Sequence, residues 1–144
     1  MGIYTRYKKD PGGFRKLVEL LESTPMVRRQ KMIDAGMAED PDYTLRAMEF
    51  VITFRDIIEF DELELAEVIA KAPPRMIAYA IKELDEEEQM KFIKSAGATA
   101  MAEIRDYLQV DIGPREIGGA QLRLVEAARE LEKQGRIKSK RIPY

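Results

Sequence analysis

Proline stands at the head of one apolar-periodic run after another in this chain, and that placement leaves room for little except short helices. Proline cannot continue a helix interior. It fits the first turn, where its missing N–H would have no partner anyway. Thr24-Pro25, Asp40-Pro41, Pro73-Pro74 and Gly113-Pro114 are starts of this kind. Asp61 and Asp85 mark two more as N-caps, and Glu88 stands at capping-box spacing from Asp85. Gly97 and Gly135 are natural stops. No sustained period-2 alternation and no Asn-Gly or Asp-Gly hairpin turn occurs, so an all-α chain is expected.

The runs between these marks carry helical periodicity. Residues 1–11 form a short basic lead with Arg6, Lys8 and Lys9, expected to fray. Phe14, Leu17, Val18 and Leu21 share one face of a helix over 14–23. A second helix with Met26, Val27 and Ile33 reaches about Gly36, and a third carries Tyr43, Leu45, Met48 and Phe50. This 12–50 unit, opened by Gly12-Gly13, reads as one armadillo-type unit that needs a neighbour to cover its apolar stripes. The β-branched run Val51-Ile52-Thr53, followed by Phe54, favours an extended or loosely helical connector over 51–60.

Five or six helices are expected over 61–135. The last two, within Gly97–Gly135, organise the chain. In the first of them Met101, Ile104 and Leu108 lie on one face, and Thr99, Glu103 and Asp106 on another that is free for solvent or a partner. After the Gly113-Pro114 break, Leu124, Val125, Ala128 and Leu131 line one side of a long helix. Gly118-Gly119 inside it is read as a close helix approach or a local kink. The basic tail 136–144 is read as solvated, next to a helix C-terminus whose dipole it suits.

Composition excludes several functions. The chain has 144 residues and 35% charged side chains against 45% hydrophobic ones, which suits a folded domain with a sizeable interior. A net charge of −2 gives no global attraction for nucleic acid. With no Cys and no His there is no disulfide, no thiolate metal site and no imidazole base or ligand. No apolar run nears the ~20 residues that span a bilayer, so no transmembrane segment is expected. The acids at Glu62/Glu64 and Asp85–Glu88 sit at helix starts, where the dipole favours them, and lack calcium-loop spacing. No phosphate-binding glycine loop is present. Neither a cofactor, nor a metal, nor enzymatic activity is expected.

Several segments carry a resemblance by their order and spacing: Phe54-Arg55-Asp56-Ile57 with Phe60-Asp61-Glu62, the run Ala100–Leu108 (AMAEIRDYL), Gly113-Pro114, and Ala127 with Leu131-Glu132-Lys133-Gln134-Gly135-Arg136-Ile137. Together they resemble the FliG family of flagellar rotor and motor-switch proteins. With Gly12-Gly13 the resemblance covers roughly 12–140, the end of the family's middle armadillo region and its C-terminal domain. It implies an armadillo-like right-handed helical superhelix ending in a FliG C-terminal-like helical domain at 61–135. It also implies a cytoplasmic protein, peripheral at the inner face of the membrane in the flagellar basal body.

The family's stator-facing charges carry over position by position. A family lysine near the end of an earlier helix matches Lys82, and the Arg-Asp of the charged helix matches Arg105 and Asp106. Tyr107 stands where a second acid is usual, and Thr99 where an arginine is. The arginine beyond the Gly-Pro is Glu116 in strict register, with Arg115 beside it. The family's hinge falls on Val51, Ile52, Thr53 and Phe54, of which Phe54 alone is clearly in register. By residue type alone the same four read as an ordinary interhelix segment. The resemblance implies a non-enzymatic rotor component that stacks on copies of itself and meets stator and other switch proteins. The altered charges leave open a FliG-like scaffold or adaptor outside the flagellum. Without the family's N-terminal domain, the chain is expected to be a piece of a longer rotor protein or a short stand-alone member.

Overall fold

Nearly every start signal opens a helix in the computed structural model, which describes residues 2–143. Ten α-helices follow one another among the described residues, with no strand. The chain divides into two units, Met1–Ile52 with Lys140–Tyr144, and Thr53–Ser139.

The first unit holds α1 (Ile3–Lys9), α2 (Gly13–Ser23), α3 (Met26–Glu39) and α4 (Pro41–Phe50). The basic lead is therefore a helix and not a frayed end. Tyr4 explains it. Its ring is buried with Leu17, Val18, Leu21 and Ala47, and its hydroxyl donates to the Met32 carbonyl at 2.6 Å. Thr5 N and Oγ1 both donate to Glu39 Oε2, and Lys8 pairs with Asp40 at 3.0 Å. The Lys8 hydrogen bond, then the Tyr43 amide, hold the Asp40 carboxyl below its usual range.

α3 runs past Gly36 to Glu39, because Gly36 answers to packing and is not a stop. A Cβ there would lie 2.4 Å from the Tyr4 ring and 2.5 Å from Thr44 Oγ1. Gly13 is equally constrained, since its Cβ would lie 1.7 Å from the Tyr7 carbonyl oxygen. Gly12 takes the left-handed turn that admits α2, at φ 71°. The tail also differs from a solvated one. Ile142 is buried in the first unit's core, and Lys140 Nζ donates to the Glu49 carbonyl at 2.9 Å. The far ends of the lead and tail, Met1 and Tyr144, lie outside the described residues. α1 and the 140–142 stretch thus close this core in cis, where an intermolecular neighbour was expected to do so.

In the second unit α5 (Phe54–Ile58), α6 (Glu62–Lys71), α7 (Pro74–Ala80), α8 (Glu86–Lys94), α9 (Ala98–Tyr107) and α10 (Pro114–Lys133) follow in order. α7 packs against both α9 and α10, and its Ile77, Ala78 and Ala80 are fully buried. α10 also packs on α5 and α6. α5 lies inside the expected connector. Thr53 and Asp56 form a capping box at its start, with Thr53 N to Asp56 Oδ2 at 2.8 Å and Asp56 N to Thr53 Oγ1 at 3.2 Å. Gly135, at φ 75°, ends α10, and Arg136 N reaches back to the Leu131 carbonyl at 2.9 Å in a Schellman turn. Gly118 and Gly119 neither approach a neighbour nor break the helix. Both are exposed, and a Cβ on either would meet nothing within 4 Å.

Several helix C-termini are closed by side chains from elsewhere in the same unit. Orphan carbonyls there need donors. Arg29 gives Nε to Leu21 O at 2.7 Å and Nη2 to Glu22 O at 2.9 Å at the end of α2. Burial of that guanidinium lowers its pKa, against an opposing pull from Glu22. Gln89 serves the Ile81 and Lys82 carbonyls after α7. Lys91 Nζ donates to the Ile58 and Phe60 carbonyls at the end of α5.

Candidate partner-binding face

α9 has two faces of different chemistry. Ile104 is fully buried, and Met101 and Leu108 are half-buried on the same side. Thr99, Glu103, Arg105 and Asp106 are exposed. Tyr107 packs edge-on against Tyr79 of α7, ring centroids 6.2 Å apart. An aromatic at this position fastens the charged helix to the second unit's core, where an acid would have stayed in water.

The turn leaving α9 is held at both ends. Lys82 Nζ donates to the Leu108 and Val110 carbonyls, each at 2.5 Å. At the other end Gly113 N donates to Glu116 Oε2 at 2.6 Å, which gives the first turn of α10 half of a capping box. Pro114 is the first residue of α10, and Arg115 and Glu116 are exposed beside it. Of the six residues singled out in sequence, five are exposed: Thr99 in the first turn of α9, Arg105 and Asp106 in its last turn, and Arg115 and Glu116 in the first turn of α10. The sixth, Lys82, is half-buried and its ammonium is directed to backbone.

The four residues expected to form a hinge are divided between the two units. Val51 and Ile52 are buried in the first, where Ile52 N donates to Glu22 Oε1 at 2.8 Å. Thr53 and Phe54 open α5 in the second, and the Phe54 ring stacks on Phe92 at 6.0 Å. Gly12 and Gly13 shape the α1–α2 turn, and Gly113 and Pro114 the start of α10.

The acids at helix starts do more than suit the dipole. Asp61 and Asp85 cap α6 and α8 by accepting from Glu64 N and Glu88 N, each at 2.8 Å. The Glu88 carboxylate meets Arg55 at 2.5 Å, and the Glu64 carboxylate accepts from Lys138 N at 2.7 Å and Ser139 N at 3.1 Å. No group of three metal-ligating side chains occurs among the described residues. Some of the apolar side chains on the helices expected to need a neighbour do stay exposed. Met26 and Val27 at the start of α3 are 78% and 76% exposed, and Leu45 on α4 is 50% exposed. Their helical spacing was legible, but which apolar residues stay outside depends on where α1 and the tail pack.

Residues 37–138, from α3 through α10 into the tail, match the model of the FliG C-terminal domain. The chain belongs to the FliG C-terminal domain family. It is 24% identical over 139 residues to the flagellar motor switch protein FliG of Thermotoga maritima, and 20% over 137 residues to that of Helicobacter pylori. These alignments take in 94% of this chain and 41% and 40% of the relatives, so the chain spans about two fifths of their length. The fold is similar to that of FliG residues 86–343 from H. pylori, with TM-score 0.65 at 18% identity, covering 94% of this chain and 65% of that one. Full-length FliG from Aquifex aeolicus gives TM-score 0.56 at 20% identity, covering 93% and 42%. The all-α, FliG C-terminal-like class expected from the sequence therefore stands. No helix among the described residues is long and apolar enough to cross a membrane.

Proposed function

We propose that this chain works as the stator-facing part of a FliG-type flagellar rotor, on the cytoplasmic side of the membrane. It acts by protein contact and catalyses nothing. The observation that carries the reading is α9. One helix is fixed to its unit by Ile104 and Tyr107 and carries Thr99, Arg105 and Asp106 exposed, with Arg115 and Glu116 at the start of the next helix. Exposed charge pairs contribute only about 0–1 kcal/mol each and are screened by salt, so such a face works through several charges on a rigid support.

The first unit stacks on a second copy through Met26, Val27, Leu45 and Met48, a patch that exposed apolar area on a small unit supports. Val51 to Phe54 act as the hinge between the two units. Deleting the chain from its source organism tests the reading. The expected strain assembles filaments that do not turn. Normal swimming would move the chain to a scaffold role outside the flagellum.

A further inference from the structure

Lys82 lies in the turn after α7, 26 residues before the carbonyl it serves. Its backbone is held there by Lys82 N to Tyr79 O at 3.4 Å and by the Gln89 side chain on its carbonyl at 3.3 Å. From that fixed point the ammonium donates to Leu108 O, the carbonyl of the residue that caps the end of α9, and to Val110 O in the turn that follows. A cation at a helix C-terminus is favoured by charge as well as by hydrogen bonding. Leu108 and Val110 lie one and three residues beyond Tyr107, the last residue of α9, and Asp106 and Arg105 are in its final turn.

We infer that Lys82 is a positioning residue for the α9 face, and that it acts through the Leu108 and Val110 carbonyls and not by touching a partner. Two of its three N–H donors are taken up by these backbone carbonyls, which ties the ammonium to the turn after α9. With Lys82 in place the exit of α9 is closed, and the turn to Gly113 is held between Lys82 and Glu116. Without it the last turn frays, and Arg105 and Asp106 lose a fixed direction. The functional half of this inference rests on α9 being the partner face. The clamp itself does not.

Hydrogen exchange on the purified full chain, read beside swimming of the matching strains, tests both halves. The variants are Lys82→Gln, Lys82→Met, which keeps the apolar stem, Lys82→Arg and Asp106→Lys. Removing a charge-assisted bond from both carbonyls is expected to speed exchange of the Leu108, Gln109 and Val110 amides about tenfold in the Gln and Met variants. Lys82→Arg is expected to restore protection and swimming together. Asp106→Lys is expected to impair swimming with exchange of these amides no faster than in the wild type. Wild-type exchange in Lys82→Gln and Lys82→Met alongside poor swimming would overturn the inference and make Lys82 a direct contact. Faster exchange with normal swimming in the Lys82 variants, while Asp106→Lys swims poorly, would overturn the positioning role. Faster exchange in Lys82→Gln and Lys82→Met, with normal swimming in all four variants, would sink the partner-face reading and leave the clamp.

Discussion

Tyr4 shows how one side chain turns a basic leader into part of a core. Its ring is 1% exposed, it fills the space that Gly36 leaves open, and its hydroxyl reaches α3. Burial, then the nearby Glu39 charge, raise the phenol above its ordinary 10.0. A group held neutral in this way contributes stability that is fully present below pH ~10 and is lost as pH rises through the raised value. The first unit is therefore expected to loosen on alkaline titration, and Tyr4→Phe to flatten that alkaline limb. The substitution should cost about 0.5–1.5 kcal/mol at neutral pH, read by denaturant melts at each pH. Asp106 is a second residue whose surroundings decide what a change does. It sits in the last turn of α9, where the dipole disfavours an acid, so Asp106→Lys should stabilise the helix end by about 0.3–1 kcal/mol.

At the scale of elements, α10 offers the simplest check. Gly118 and Gly119 are exposed in the interior of a 20-residue helix, with open space where a Cβ would go. Gly118→Ala and Gly119→Ala should each stabilise by about 0.5–1 kcal/mol, seen as a rise in the thermal midpoint. A loss on either change would mean that α10 is strained there. The helices themselves were largely legible, because proline starts and aspartate caps are local signals. Asp40, Asp61 and Asp85 each accept from the amide three residues on. α5 was legible too, in the T-x-x-D spacing of Thr53 and Asp56, although its β-branched residues argued for a loose connector. α1 and the C-terminal stretch were not. Their structure depends on Tyr4 and Ile142 finding a core built from distant helices, and periodicity in a short basic segment cannot report that. The same limit hid the clamps of Arg29, Lys82 and Lys91, whose partners lie 7 to 33 residues away. The exposed face of α9 was read from spacing alone. That Lys82 is tied to the backbone beyond its end was not.

The whole molecule is set by a chain that leaves the first unit at Ile52 and re-enters it at Lys140. That return has an energetic consequence within the first unit. Ile142 is buried there among residues from α1, α2 and α4, so Ile142→Ala should destabilise that unit by about 2–5 kcal/mol. Ending the chain after Ser139 should cost at least as much, and probes at Tyr43 would melt before probes at Tyr79. A first unit as stable without its C-terminal stretch would show that α1 alone closes the core. The role proposed for α9 is to present its charges to a partner that drives or resists rotation. The direct measurement is the rotation of tethered cells carrying Arg105→Glu, Asp106→Lys or both, each checked for filaments and for an unchanged fold. Assembled filaments that turn slowly or stall are expected in each single variant, with a greater loss when both charges are reversed. Rotation at wild-type speed in the double variant, with the fold intact, would contradict that role.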